Sequence, residues 1–302
     1  MKAVLIYNVL SGKGNVLKDL HKIEAFFKVN DWELSLFEVK EGFNLCNDSM
    51  DLAYTYDTFL IAGGDGTIHS VINGVMGVPK INRPKLLFLP YGTTNDCASM
   101  LGLGKNVFYN LALLKTHHYE KMDVYAANNE FFVYAAATGK FSNVSYHINR
   151  RKLKWLGSIG YLLNARHDLH HHYHIDVKAE TKELTIERKA FLIMLAAGSR
   201  VGGFKLDNFT KRPKLNDGKI DVRIFTRNHI FSWTKMVWFY LFRGRHFHND
   251  IHINTNQIIF NLSDRFIWNI DGEKGPSGKL DVRVLNQEIE VYVHPKYKQK
   301  LF

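Results

Sequence analysis

The sequence predicts two domains: an α/β domain with a mostly parallel sheet, followed by a β-sandwich domain. Three observations carry this expectation. Over the first ~120 residues apolar strand-like runs alternate with segments of helical spacing, the pattern of successive βα units. Beyond Met122 short strand-like runs follow one another at regular spacing, with Asn-Asn, Asp-Gly and Pro-Ser-Gly turns between them. The chain is also 302 residues long, a length at which a single core becomes hard to extend. The expected boundary lies near residue 122, giving an α/β domain over 1–122 and a second domain over 123–293.

Taken in order, residues 3–7 (AVLIY) read as a short buried strand that ends at Asn8 and a Ser11-Gly12-Lys13-Gly14 turn. Val16, Leu17, Leu20, Ile23, Phe26 and Phe27 then recur with helical spacing. Trp32–Val39 is a second strand, followed by a polar, helical stretch up to Tyr56. The apolar run Thr58–Ala62 leads directly into Gly63-Gly64-Asp65-Gly66-Thr67. Ile68, Val71, Ile72 and Val75 mark the next helix face, which Gly77 and Pro79 end. Lys85–Leu89 is a strand feeding Pro90-Tyr91-Gly92-Thr93-Thr94-Asn95-Asp96. In the second half the predicted strands are 124–127, 131–136, 174–179, 183–187, 190–197, 219–225, 257–262, 265–270, 279–285 and 288–293. Helical insertions interrupt them around 152–165 and 229–242.

Composition narrows the function classes. A hydrophobic fraction of 46% supplies a core and excludes a disordered chain. Cys46 and Cys97 are too few for a disulfide framework, which favours a reducing, cytoplasmic setting. The first residues carry a short apolar run without a small-residue cleavage site. No stretch reaches the roughly 18 apolar residues that a membrane span needs. The net charge of +11 therefore points to an anionic partner: nucleic acid, a membrane face or a phosphorylated ligand. Nucleic acid is disfavoured, because no helix-turn-helix, RNP or zinc-finger pattern accompanies the charge.

The glycine-rich turns carry the chemistry. Gly63 to Thr67 sits where a buried strand meets a helix, the end of a parallel sheet at which such folds bind ligands. Glycines let the backbone approach a phosphate, and the helix start adds N–H donors and positive dipole. Asp65 would repel a bare phosphate, so it suits Mg²⁺ or a ribose hydroxyl. Asn8 to Gly14 offers glycines and a lysine without the spacing of a Walker A loop. The turn from Gly92 to Asp96 supplies a third helix start with hydroxyls and a carboxylate. Three such turns on adjacent strand ends would line one crevice.

These motifs resemble those of the soluble diacylglycerol kinase and sphingosine kinase superfamily, above all the soluble bacterial diacylglycerol kinases and related lipid kinases. The likeness rests on Asn8-x-x-Ser11-Gly12-Lys13, on GGDGT at 63–67 with Val71-Ile72-Asn73-Gly74, and on Pro90-x-Gly92-Thr93-x-Asn95-Asp96. It continues through Asp123, the Lys152–Leu163 segment, Leu215-Asn216-Asp217-Gly218 and Asn269-x-Asp271-Gly272-Glu273. GGDG alone is shared with NAD kinases. The resemblance implies an ATP- and Mg²⁺-dependent lipid kinase with an NAD kinase/diacylglycerol kinase-like α/β domain. Its active site would lie between the domains, and 294–302 would return to the first. By that resemblance Asn8, Ser11, Gly12, Gly64, Asp65, Gly66, Thr67 and Thr93 contact ATP, with Lys13, Gly63, Gly92 and Asn95 in the same turns. Asp65, Asp96 and Asp123 match an Asp–water–Mg²⁺ network, and Asp217 matches a second, structural Mg²⁺ site. Glu273 matches the general base, with Asp271 beside it. The implied partner is a lipid alcohol at an anionic membrane surface, with peripheral association and room for a homodimer.

Val9 replaces the family's proline, Ser70 its glutamate after GGDGT, and Ser99 its arginine after the Asn-Asp turn. Because of Ser70 and Ser99, a weakly active nucleotide- or lipid-binding regulator stays open beside the kinase, as does another nucleotide kinase of the same superfold such as an NAD kinase. His167, His170, His171, His172 and His174 lack the cysteine or paired carboxylate that would complete a metal site, and read as a solvated loop. Two readings stay open for Phe231–Phe242, flanked by Arg243, Arg245, His246 and His248: core packing, or an interfacial face. The Arg150-Arg151-Lys152-x-Lys154-Trp155-Leu156 cluster likewise reads as a solvated helix start or an anionic-lipid contact.

Overall fold

The computed structural model describes residues 1–12, 15–140, 174–210, 214–226 and 232–302. Lys13, the Lys152–Leu163 segment, the cluster at 150–156, His167 to His172 and Phe231 lie outside the described residues. In chain order the first elements are β1 (Lys2–Tyr7), α1 (Val16–Val29), β2 (Glu33–Glu38), α2 (Leu45–Ala53), β3 (Thr58–Gly63) and α3 (Asp65–Met76). They are followed by β4 (Lys85–Pro90), α4 (Asp96–Met100), α5 (Val107–Thr116), β5 (Tyr119–Ala127), β6 (Glu130–Phe132) and β7 (Ala135–Gly139). Next come β8 (Ile175–Glu180), β9 (Thr185–Ala196), β10 (Arg200–Val201), β11 (Phe204–Lys205), β12 (Ile220–Thr226) and α6 (Ser232–Leu241). The last are β13 (Ile251–Thr255), β14 (Gln257–Asn261), β15 (Ile267–Ile270), β16 (Glu273–Ser277), β17 (Leu280–Tyr292) and α7 (Pro295–Leu301). The chain divides into one unit of Met1–Val124 with Asn286–Phe302, and another of Tyr125–Leu285. The return to the first unit thus begins inside β17, upstream of residue 294.

In the first unit five strands run parallel in the order β2-β1-β3-β4-β17, with Leu5 opposite both Leu36 and Leu60, and Leu86 opposite Val291. The central strands are apolar on both faces: Ala3–Tyr7, Phe59–Ala62 and Leu86–Leu89 are all buried. Such runs suit a parallel sheet whose two faces are covered. Each connection carries a helix because parallel neighbours need a crossover. β2 lies on one side of β1 and β3 on the other, so the winding reverses at β1. That reversal opens a crevice at the carboxyl ends of β1 and β3.

The returning half of β17 is held by charge as well as by pairing. Glu288 accepts Arg83 Nη1 at 2.5 Å and Lys80 Nζ at 3.1 Å. Burial pushes its carboxyl up, but the Arg83 and Lys80 bonds outweigh this and hold it below the ordinary glutamate value. A pKa depressed by folding gives stability that is complete above the unfolded value and lost as pH falls through the folded one. Glu288→Gln is therefore expected to lower the thermal midpoint by about 2–4 °C at neutral pH. The gap to the native chain should close as pH falls through the depressed folded-state value, where the Glu288 carboxyl is protonated in the folded and the unfolded chain alike. A gap that persists unchanged into acid would assign the effect to packing instead.

The second unit is largely antiparallel β. β9 pairs with β7, β8 and β12; β15 joins β7 to β16; β14 joins β8 to the first residues of β17; β13 flanks β12. Phe191, Phe209, Phe225, Met236 and Phe239 form one core cluster. Trp268 is fully buried and its indole N–H donates to the Gly278 carbonyl at 3.0 Å.

Three strand expectations are corrected. The predicted strand 131–136 is broken into β6 and β7, because the N–H groups of Val133, Tyr134 and Ala135 turn to the Asp271 carboxylate. The predicted pairs 183–187 with 190–197, and 279–285 with 288–293, are each one strand, β9 and β17. In both, a polar stretch (the exposed Glu187–Lys189; the exposed Asn286 and half-buried Gln287) interrupts the apolar pattern while pairing on either side carries the strand through. β13 and β16, which sequence reasoning missed, are short and only partly buried.

Candidate active site

The three turns expected to hold a nucleotide follow β1, β3 and β4, and the structure brings them together. Asn8 Nδ2 donates to Thr67 Oγ1 at 3.3 Å, while Asn8 Oδ1 accepts the Leu10 N–H at 2.9 Å. Asn8 therefore shapes its own turn and ties it to the first turn of α3. Gly12 has φ +54°, and a Cβ there would meet the Tyr91 carbonyl oxygen at 2.2 Å. Only glycine satisfies both the left-handed backbone and that approach. Gly92 packs equally close to Gly64, where an added Cβ would come within 2.4 Å of Cα.

The turn after β4 is locked from inside. Asn95, itself in the left-handed region at φ 52°, accepts the Gly92 N–H at 2.7 Å and donates to the Gly92 carbonyl at 2.9 Å. Its amide clamps the turn. Thr93, between them, is exposed. Ser11 is half-buried at the mouth of the first turn, its N–H donating to the Asn8 carbonyl at 3.1 Å. Gly63 ends β3, and its carbonyl accepts the Tyr91 N–H at 3.1 Å. Gly66 lies in the first turn of α3, where N–H groups lack intrahelical partners.

Asp65 is buried in the first turn of α3. Its carboxylate accepts Thr94 Oγ1 at 2.8 Å and the N–H groups of Asp96 at 3.1 Å and Cys97 at 3.0 Å. It thus caps the start of α4, joining the turns after β3 and β4. Asp96 is buried beside it. Asp123, buried on β5, accepts the Gln287 N–H at 2.7 Å and Asn286 Nδ2 at 3.2 Å. Sequence reasoning missed Tyr91 and Asp19. The Tyr91 hydroxyl donates to Asp19 Oδ2 at 3.0 Å, pinning this turn to α1. Burial first, and then Asp19, push the Tyr91 hydroxyl pKa up. The two residues are 72 apart in sequence, so no local signal links them.

In the second unit, Asp271 and Gly272 form the two-residue turn between β15 and β16, at φ 50° and 90°. Such turns require positive φ at both positions. The Asp271 carboxylate is fully buried and accepts three N–H groups: Val133 at 2.8 Å, Tyr134 at 3.0 Å and Ala135 at 3.0 Å. Its role in the structure is an anchor. Glu273, the first residue of β16, is exposed. Asp217 Oδ1 accepts the Lys219 N–H at 3.0 Å, closing the Leu215–Gly218 turn. Burial, and to a lesser extent Asp221, raise its carboxyl above the ordinary aspartate value although the Lys219 N–H opposes them.

The donor set fits a polyphosphate: amide, hydroxyl and glycine N–H groups converge at the end of β1 and β3, beside a helix start. It fits Mg²⁺ only in one way. Among the described residues no group of three or more His, Cys, Asp or Glu side chains is arranged to hold a metal ion. Asp65 is already engaged by three donors. Mg²⁺ keeps several waters and is commonly held by one or two carboxylates together with substrate phosphates. These aspartates fit an ion that arrives with the nucleotide.

Known proteins resemble this chain in sequence and in fold. Residues 2–127 match the diacylglycerol kinase catalytic domain. The chain is a kinase. It is 28% identical to a diacylglycerol kinase of Bacillus subtilis over 98% of this chain and 97% of that protein. A diacylglycerol kinase of Staphylococcus carnosus is 27% identical over 96% and 94%. The crystal structure of a diacylglycerol kinase from Bacillus anthracis shares the fold, with a TM-score of 0.79 at 24% identity, covering 98% of each chain. The first unit thus matches the diacylglycerol kinase catalytic domain, and the chain is similar to diacylglycerol kinases along nearly its whole length.

Proposed function

We propose that this kinase is ATP- and Mg²⁺-dependent and transfers the γ-phosphate to the hydroxyl of diacylglycerol or a related lipid alcohol, working peripherally at a membrane. The observation that carries the reading is the meeting of the turns after β1, β3 and β4 at the β1/β3 crevice, in a chain similar along its whole length to diacylglycerol kinases. Asn8, Ser11, Thr67, Thr93 and the glycine N–H groups would hold the phosphates, with Lys13 in the same turn. Mg²⁺, held through water by Asp65, Asp96 and Asp123, would neutralise charge on the β- and γ-phosphates. Asp217 would hold a second, structural ion. Glu273 is assigned as general base. It accepts the lipid hydroxyl proton as the oxygen bonds to the γ-phosphorus, while the bond to the bridging oxygen breaks and ADP leaves with that electron pair. Asp271 fixes the turn that carries Glu273.

The test is phosphate transfer from labelled ATP with Mg²⁺ to a panel of lipids in mixed micelles, with free NAD beside them. Label in a lipid alcohol is the expected result. Label in NAD and in no lipid would overturn it. Ser70 replaces the family's glutamate, and its hydroxyl donates to the Gly66 carbonyl at 3.1 Å, within the same helix. Nucleotide binding with no transfer to any acceptor would therefore favour a regulator that binds without catalysing.

A further inference from the structure

We infer that the outer face of α6 and the loop behind it, from Val237 to His248, form a docking surface for an anionic lipid bilayer. The inference rests on the lipid-kinase reading for its purpose, but its observations are independent of the nucleotide turns.

A surface helix ordinarily shows the core an apolar stripe and water a polar one. α6 departs from this. Met236 and Phe239 are buried in the core cluster. On the opposite side Val237 (45%), Trp238 (38%) and Leu241 (72%) are exposed, and Phe242 and Phe247 extend the patch. The Trp238 ring lies 3.9 Å from that of Phe242 and 6.0 Å from that of Phe247, so the outer residues form one continuous aromatic surface. A helix apolar on two faces needs two apolar media, and the core supplies only one.

Charge selects the second medium. No Asp or Glu occurs from Arg227 to Asn249. Arg243, Arg245, His246 and His248 are all exposed around the aromatic patch. Asp250 is buried against Lys235 at 3.0 Å, and Asp207 is shared by Lys205 at 3.1 Å and by Arg243 at 3.5 Å, with the Arg243 side chain still 66% exposed. Arg245 has no acidic partner among the described residues. A second copy of the chain docking through the same face would set this basic rim against itself, since a two-fold interface pairs like with like. An anionic bilayer accepts both parts. Trp and Phe enter the headgroup boundary, and the arginines meet lipid phosphates.

The experiment is co-sedimentation of the full chain with vesicles of phosphatidylcholine, with and without phosphatidylglycerol. Wild type should sediment with the anionic vesicles, and salt should weaken this. The double variant Trp238→Gln, Leu241→Asn changes only exposed side chains. It should lose about tenfold or more in partitioning to either vesicle. Arg243→Gln with Arg245→Gln should lose about fivefold per arginine on anionic vesicles and nothing on phosphatidylcholine alone. Phosphorylation of a short-chain, water-soluble diacylglycerol should be unchanged in both. Variants that sediment like wild type would overturn the proposal while leaving lipid phosphorylation intact. So would light scattering in which the apolar variant abolishes a dimer and vesicle binding does not move. Vesicle binding as described, with no lipid phosphorylated by wild type, would instead fault the kinase reading and keep the surface.

Discussion

Replacing Asp65 by asparagine should weaken ATP binding more than tenfold and destabilise the first unit by about 3 kcal/mol. The Asp65 carboxylate presents two oxygens to three donors, Thr94 Oγ1 and the N–H groups of Asp96 and Cys97. Asparagine presents one oxygen and an NH₂ group. Whichever way the amide turns, donors face donors in a buried site, and hydrogen bonds to a charged acceptor are worth about 1.5–3 kcal/mol each. The start of α4 would then separate from the start of α3, and with it the exposed Thr93 from the crevice. Denaturant unfolding without metal and calorimetry with a non-hydrolysable ATP analogue check the two parts. If Asp65 acts only through Mg²⁺, stability without metal stays at the wild-type value and the loss is confined to binding in its presence. Full nucleotide affinity in the variant would remove Asp65 from the site altogether.

That carboxylate marks the limit of what could be read from sequence. The first unit was legible because its strands are apolar on both faces and its ligand turns are contiguous strings. Thr58–Ala62 followed by Gly63–Thr67 states strand, turn and helix start within ten residues. What the turn does internally was not legible. Asp65 reads as a ligand to a cation, yet its neighbours are N–H groups 31 and 32 residues away. Asn95 reads as a contact to nucleotide, while its amide closes on Gly92. Both are consequences of how two βα turns pack, and neither leaves a pattern in the local sequence. The second unit was less legible for a related reason. Antiparallel pairing lets β9 continue through Glu187–Lys189, where the apolar pattern stops, and lets a carboxylate at 271 break a strand at 133. On α6 the core-packing reading holds for the inner face, while the outer face is exposed.

Glu273→Gln should lower turnover about 10²–10⁴-fold while ATP binds as before, and Asp271→Asn should lower turnover by a different route. A lipid hydroxyl is a poor nucleophile near neutral pH, so removing an acceptor for its proton takes away transition-state stabilisation without touching the nucleotide turns. Glutamine keeps the shape of Glu273, which is exposed and should tolerate the change with no loss of stability. Asp271 is the opposite case. It is fully buried, and its three N–H donors hold the β15–β16 turn against the segment between β6 and β7. Asparagine can accept through one oxygen only, so the anchor weakens and Glu273 loses its placement. The two variants separate in the pH–rate profile. Glu273→Gln should erase the limb that reports a base needed in its deprotonated form. Asp271→Asn should keep that limb at reduced rate and show a lower thermal midpoint, because the base remains but is no longer held. If Glu273→Gln turns over at the wild-type rate, Glu273 is not the base. If instead Asp271→Asn loses the limb and keeps its stability, the proton acceptor is Asp271, and the three N–H groups serve to tune it rather than to anchor the turn.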